Sequence, residues 1–466
     1  MAKLTFAAMS GTLATIAILL TSADAQGQIP PVKTYQPKAT EQSRTAQVID
    51  QQQKSAPSRF DLGKYPISDR TAQHWQESLW AIGVLGKDES YAQQALETML
   101  AMTTASNLSN AQMGVVDTAI QVSHQLYTLK PEVYSNLKPH FLRTINESND
   151  PQWVAISLSA LSKSVSNLSP KAIDKTELNK LIRKVQKRFP KWQQDLHLKT
   201  TLQNIDADFA IANSSQTPDL QELLQWQIAP QQSHLYVFCR PNRDLMCLTI
   251  LKDRDGKFVK QGKQLWSVPL LLQSLHNLDW NSTNGRTPQG IYRMEGISRQ
   301  PDDEFFHAYG QFSLVNLFLP FEDGVTAFLP KQKGKFTGDL ASYQALLPPT
   351  WRDYAPMQQA YWAGKMGRSL FRIHGSGAAL DFFSSKASLV HNQNADWNPT
   401  LGCLSALEIY GEDGNLLKSD MPKILDVLSR VGRGKIEGYV IVVDLPNSSG
   451  QPVTMAELSQ YLKSKD

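Results

Sequence analysis

Thr400-Leu401-Gly402-Cys403-Leu404-Ser405 places a cysteine directly after a glycine, in a turn between two apolar stretches. Upstream of it, Ile373-His374-Gly375-Ser376 places a histidine-glycine pair at the end of a strand-like run. A thiolate is the reactive form of cysteine, and forming it needs a neighbouring base or a positive field. Imidazole is the usual base near neutral pH. Glycine before the cysteine permits close backbone approach and frees an N–H to face a developing oxyanion. A Gly-Cys pair alone carries little weight; the weight comes from the two segments in this order.

A third segment joins them. Gly285-Arg286-Thr287-Pro288-Gln289-Gly290-Ile291-Tyr292-Arg293 resembles the "TPxGxF/Y" strand of the L,D-transpeptidase (YkuD) catalytic domain, and the His-Gly-Ser and Thr-x-Gly-Cys segments resemble that family's paired site motifs. The resemblance spans roughly Ser233 to Leu445. It implies a mostly β catalytic domain with Cys403 as nucleophile and His374 as base. It further implies that Gly402 and Cys403 N–H groups are oxyanion donors, and that Gly375 or Ser376 orients the imidazole through the backbone. The substrate it implies is a peptidoglycan stem peptide, without metal or cofactor. The chain departs from the family pattern at Leu401, at Ser405 (a position tied to substrate preference) and in the length of the segment between His374 and Cys403, which also contains His391.

Composition sets the address. With 41% hydrophobic and 19% charged residues in 466, the chain has ordinary globular composition and room for two or three domains. A net charge of +4 falls short of a nucleic-acid signature and suits an anionic polymer such as cell wall. Lys3, the apolar Leu13–Leu20 stretch and Ala23-Asp24-Ala25 read as a signal peptide over residues 1–25, cleaved near Ala25. The apolar stretch is shorter than the ~20 residues a bilayer span requires, so the expectation is an exported, periplasmic protein without a stable membrane anchor. Three cysteines are an odd number for an oxidising compartment. Cys239 and Cys247 lie equidistant from Arg243, so a hairpin centred there sets them face to face as a disulfide and leaves Cys403 free; the alternative is two buried thiols on neighbouring strands.

The order of segments predicts an α+β chain: an all-α helical-repeat or bundle domain followed by the mostly β domain. Residues 26–58, rich in Gln, Pro, Thr, Ser and Lys, read as a disordered linker. Residues 59–228 read as the helical domain. Val115, Ala119, Val122, Leu126 and Leu129 share a helix face, Lys130-Pro131 ends that helix, and Asp150-Pro151 caps another. Successive helices with short connections suit an α-solenoid, and the lack of a strict period suits an irregular bundle equally. Residues 229–466 form the catalytic domain. Within it Leu270–Leu278 is a candidate short helix, Gly375-Ser376-Gly377 a flexible turn, and Gly438–Leu445 a buried closing strand. Between Arg293 and His374 lies a long aromatic and proline-rich insertion that either walls a groove over the cysteine or packs on itself. Trp351 and Tyr361 are its candidate substrate contacts. Arg372, beside the base, is a candidate for holding a substrate carboxylate or for a surface ion pair.

Three functions fit these residues: an L,D-transpeptidase; an L,D-carboxypeptidase or other wall-peptide hydrolase on the same scaffold; and a helical-repeat protein that binds a protein partner while its catalytic domain is idle.

Overall fold

The computed structural model describes residues 41–85, 90–166, 173–211, 217–241, 243–274, 278–299, 312–376, 400–410, 415–446 and 450–462. The chain is α+β, helices first and a large mixed sheet after. It divides into two compact units, Asp50–Ala207 and Asp208–Asp466, with the described residues 41–49 grouped with the second. The break falls before the expected residue 228 because the short helix Leu220–Gln225 is tied into the second unit. The Trp351 indole donates to Asp219 O at 3.0 Å, and the Tyr236 hydroxyl donates to Leu223 O at 3.3 Å.

In the first unit each helix starts where the chain supplies a cap. Ser109 and Gln112 form a capping box that opens Asn110–Leu129, and Asp150 accepts the N–H groups of Gln152 and Trp153 at the head of Pro151–Ser166. Ala72–Leu85 packs on Asn110–Leu129, which packs on Pro151–Ser166; Gln93–Ala101 packs on Lys138–Glu147, which packs on Lys175–Arg188. Alternate helices therefore stack on one another in two rows. The linker expectation fails at Glu41–Lys54, which is helical. That stretch has neither proline nor glycine, is rich in Gln, and closes an Asp50–Lys54 ion pair at 2.8 Å. Residues 1–40, with the expected signal peptide, lie outside the described residues.

The second unit is built on β1 Ser233–Cys239, β2 Cys247–Lys252, β3 Lys260–Gln261, β4 Gln264–Leu265, β5 Pro269–Leu271, β6 Gly290–Ser298, β7 Leu314–Phe318, β8 Phe371–Ser376, β9 Leu404–Tyr410, β10 Leu416–Ser419 and β11 Glu437–Asp444. Strands β3 and β4 form a separate ribbon. The other nine run β10-β9-β5-β2-β1-β11-β6-β7-β8, and β8 pairs back onto β9. With β10 appended to β9, the remaining eight strands close into a barrel. Closure removes the exposed edges an open sheet would carry. Two contacts in the ring are parallel, β1–β11 and β8–β9. The run Val440-Ile441-Val442-Val443 in β11 is buried on both faces, as a strand flanked on each side must be.

Cys239 and Cys247 are joined by a disulfide with Cα atoms 4.3 Å apart, at the end of the β1–β2 hairpin. Arg243 in the connecting turn has φ +59° and buries its guanidinium on Asp444 at 2.5 Å. Two local expectations are corrected. Pro269–Leu271 is a strand rather than the start of a helix, because Leu270 and Leu271 fill the gap between β2 and β9. Gly375 and Ser376 continue β8 in register with Ala406 and Leu407 rather than turning.

The aromatic insertion packs on itself. Trp351 and Tyr361 are 0% and 1% exposed, so neither reaches a ligand, and their assignment as substrate contacts is withdrawn. Tyr361 lies edge-on to Phe321 and against Tyr343. The Tyr343 hydroxyl accepts the Ile291 N–H at 2.8 Å and donates to Met357 O at 3.2 Å. Gly290, at φ +130°, is where the insertion meets β6: a Cβ there would stand 2.6 Å from that hydroxyl and 2.7 Å from the Ala360 Cβ. The Pro-Gln-Gly part of the quoted segment thus serves docking. Trp351→Ala is expected to destabilise the protein by about 3–5 kcal/mol in denaturant unfolding while leaving Cys403 reactivity unchanged. Unchanged stability with weakened ligand binding would restore the groove reading.

Candidate active site

The closing seam of the barrel brings the two halves of the site together. In the parallel β8–β9 pair, Ile373 is opposite Leu404 and His374 is opposite Ser405. One step earlier, Arg372 stands beside Cys403. Because side chains alternate along a strand, Arg372, His374 and Ser405 lie on one face of this pair. Cys403 directly precedes β9, one residue before the Leu404 that pairs with Ile373.

The imidazole is anchored by its own strand. His374 Nδ1 lies 2.8 Å from Gly375 O; a carbonyl can only accept, so Nδ1 carries the proton and Nε2 is the basic nitrogen. Burial lowers the His374 pKa, the Gly375 bond works against that, and the Arg372 charge adds to the lowering. The ring is therefore neutral at pH 7. Gly375 is required here for space: a Cβ would sit 1.7 Å from the buried Glu408 carboxylate that crosses it.

Cys403 is partly exposed and its thiol donates to Leu370 O at 3.6 Å. Burial pushes the thiol pKa up. The Arg372 charge, the Arg372 backbone N–H and the Arg368 charge pull it back, and Glu322 raises it again. The net effect is upward, so the resting pair is thiol and neutral imidazole. The accepting carbonyl belongs to a constrained residue. Leu370 has φ +64°, and the Glu322 carboxylate accepts its N–H at 2.8 Å and that of Leu319 at 2.9 Å.

The Gly402–Cys403 turn is held by three hydrogen bonds with two threonines. Thr287 Oγ1 donates to Gly402 O at 2.8 Å, Thr400 Oγ1 donates to Cys403 O at 2.7 Å, and the Gly402 N–H donates to Thr400 Oγ1 at 3.2 Å. That last bond engages the Gly402 N–H, which the sequence had offered as an oxyanion donor. Gly402 has φ +120°, and a Cβ on it would stand 2.6 Å from Arg368 Nη2 and 2.9 Å from Gly285 O. Glycine at this position follows from both the backbone conformation and the close approach.

Arg372 is half-buried beside the sulfur, its Nη1 donating to Phe371 O at 2.6 Å. Ser405 is fully buried, and its hydroxyl has no partner among the described residues. It is opposite His374 in the strand pair and buried rather than at a surface, so it does not contact substrate as expected. Ser376 contributes its backbone to β8. His391 lies outside the described residues. Among those residues no cluster of His, Cys, Asp and Glu is arranged for a metal, and no helix is long and apolar enough to cross a membrane. Sequence reading missed Arg368, Glu322, Leu370 and Thr400's capping of the turn. Thr287 lay in a quoted segment, but nothing in the local pattern marked the other side chains.

With Cys239 and Cys247 joined, iodoacetamide should label Cys403 alone in the non-reduced protein. Its rate should rise with pH through a midpoint above the ordinary thiol range. A midpoint below that range would show a resting thiolate–imidazolium pair and contradict the neutral site. Comparisons with family models, with curated proteins and with solved structures find no match for this chain.

Proposed function

We propose that this chain is an exported cysteine acyltransferase acting on peptidoglycan stem peptides in the periplasm, like the L,D-transpeptidases its motifs resemble. One observation carries the reading: a neutral imidazole with its basic Nε2 sits on β8, and the thiol sits in the turn that directly precedes β9, the strand paired in parallel with it. His374 Nε2 takes the thiol proton as Cys403 Sγ bonds to the carbonyl carbon of the stem's third residue. The Cys403 N–H faces the oxyanion, since the Gly402 N–H is engaged by Thr400. The peptide C–N bond then breaks, and the imidazolium returns its proton to the departing D-alanine amine. An amine from a second stem attacks the thioester, loses a proton to His374 and releases the sulfur. Arg372 offers charge to the sulfur as it ionises and to a substrate carboxylate. The two-row helical unit supplies a surface for a protein partner.

The test is the purified protein with a disaccharide tetrapeptide, products read by mass. A cross-linked dimer is expected. Tripeptide monomer alone would make the chain a hydrolase on the same machinery, and no turnover with normal Cys403 alkylation would favour the partner-binding protein. Cys403→Ala should abolish turnover with a stability change below about 1 kcal/mol, and His374→Ala should lower it by roughly 10²–10⁴-fold.

A further inference from the structure

Among the described residues, Arg368 is a buried cation without an acidic partner. It is 9% exposed and lies against the Phe371 ring, 4.9 Å from its centroid. Its Nη2 donates to Gly285 O at 2.6 Å, and its Nη1 donates to Arg286 O at 3.1 Å and to Trp280 O. Among the described residues no carboxylate pairs with it. Burial pulls its pKa down to about 10, and the ionisable groups that work against this are Tyr292 and Cys403. Tyr292 cannot serve as counter-ion at neutral pH: its hydroxyl is buried, donates to Pro288 O at 2.7 Å, and is held well above its ordinary pKa. That leaves the sulfur. Arg372 is different, because Glu322 already stands in its field.

A buried charge is costly unless something answers it. Backbone carbonyls satisfy the hydrogen bonds of Arg368 without neutralising its charge. The same guanidinium lies close over the turn that carries the sulfur: a Cβ added to Gly402 would stand 2.6 Å from its Nη2. The carbonyls it grips belong to the loop whose Thr287 holds Gly402 O.

We propose that Arg368 is a positioning residue that fixes the Gly402–Cys403 turn on the 280–287 loop and supplies a positive charge, paired with no carboxylate among the described residues, against which Cys403 ionises. Its charge is matched when the sulfur becomes anionic, so it favours the attacking state over the resting thiol. The inference rests on Cys403 as the nucleophile and not on the identity of the substrate.

The test therefore uses no wall substrate. Iodoacetamide labelling of Cys403 is followed against pH in wild type, Arg368→Met, Arg368→Lys and Thr287→Val, with thermal melts in parallel. Arg368→Met should move the labelling midpoint upward and slow labelling near neutral pH by about three- to tenfold, as loss of a near, partly screened charge implies. Arg368→Lys, which keeps the charge and loses the fork, should recover part of that rate. Thr287→Val, which leaves Arg368 in place but frees Gly402 O, should shift the midpoint in the same direction by less. A purely structural role would lower the melting temperature and leave the midpoint alone, and that result in any folded variant overturns the proposal. If Arg368→Met does not fold, Arg368→Lys and Thr287→Val decide it. Wild-type protein that labels normally but does not process stem peptides would count against the proposed substrate and not against Arg368.

Discussion

The parallel pairing of β8 with β9 is the contact on which the second unit depends. It closes the barrel, and it sets in register the two segments that carry the histidine and the cysteine. Parallel neighbours cannot be joined by a tight turn, and here the connection runs through the segment 377–399. Proximity of His374 and Cys403 is thus a property of the closed sheet, not of their spacing in the chain. A shift of one residue in that register would send His374 and Ser405 to opposite faces. The packing of Glu408 across Gly375 and of Leu404 and Ala406 in the buried ladder works against such a shift.

Electrostatics around the sulfur follow from how that seam is supported. Burial holds both members of the pair uncharged, and two guanidinium groups oppose this for the sulfur only. A neutral pair stores no buried ion pair at rest and creates charge where the arginines stand. Glu322 tempers Arg372 and at the same time shapes Leu370, whose carbonyl receives the thiol proton's hydrogen bond. Positioning and charge are therefore supplied by the same side chains.

The insertion between β7 and β8 shows how composition can mislead about function. Aromatic and proline-rich chain is equally suited to a ligand groove and to a small core of its own. Here Tyr343 and Gln359 satisfy backbone N–H groups of the Gln289–Ile291 stretch, and the aromatic rings fill the space behind it. The segment supports the start of the strand that follows Thr287, and so supports the cysteine turn indirectly.

Much of this protein was legible in the residue order. Apolar spacing and proline caps marked the helices of the first unit, because helix starts and stops are local chemistry. Symmetry of Cys239 and Cys247 about Arg243 marked the hairpin disulfide, because the crosslink closes a short loop. The buried run at Val440–Val443 marked a central strand. What only the tertiary structure decided were matters of long range: that the sheet closes on itself, that Trp351 and Tyr361 are interior, that Ser405 is buried, and that Gly402's N–H is engaged while its missing Cβ makes room for Arg368. Arg368 and Glu322 sit in no motif. Their roles come from buried charge and backbone carbonyls meeting in three dimensions, and a linear sequence holds no record of which carbonyls a buried guanidinium will find.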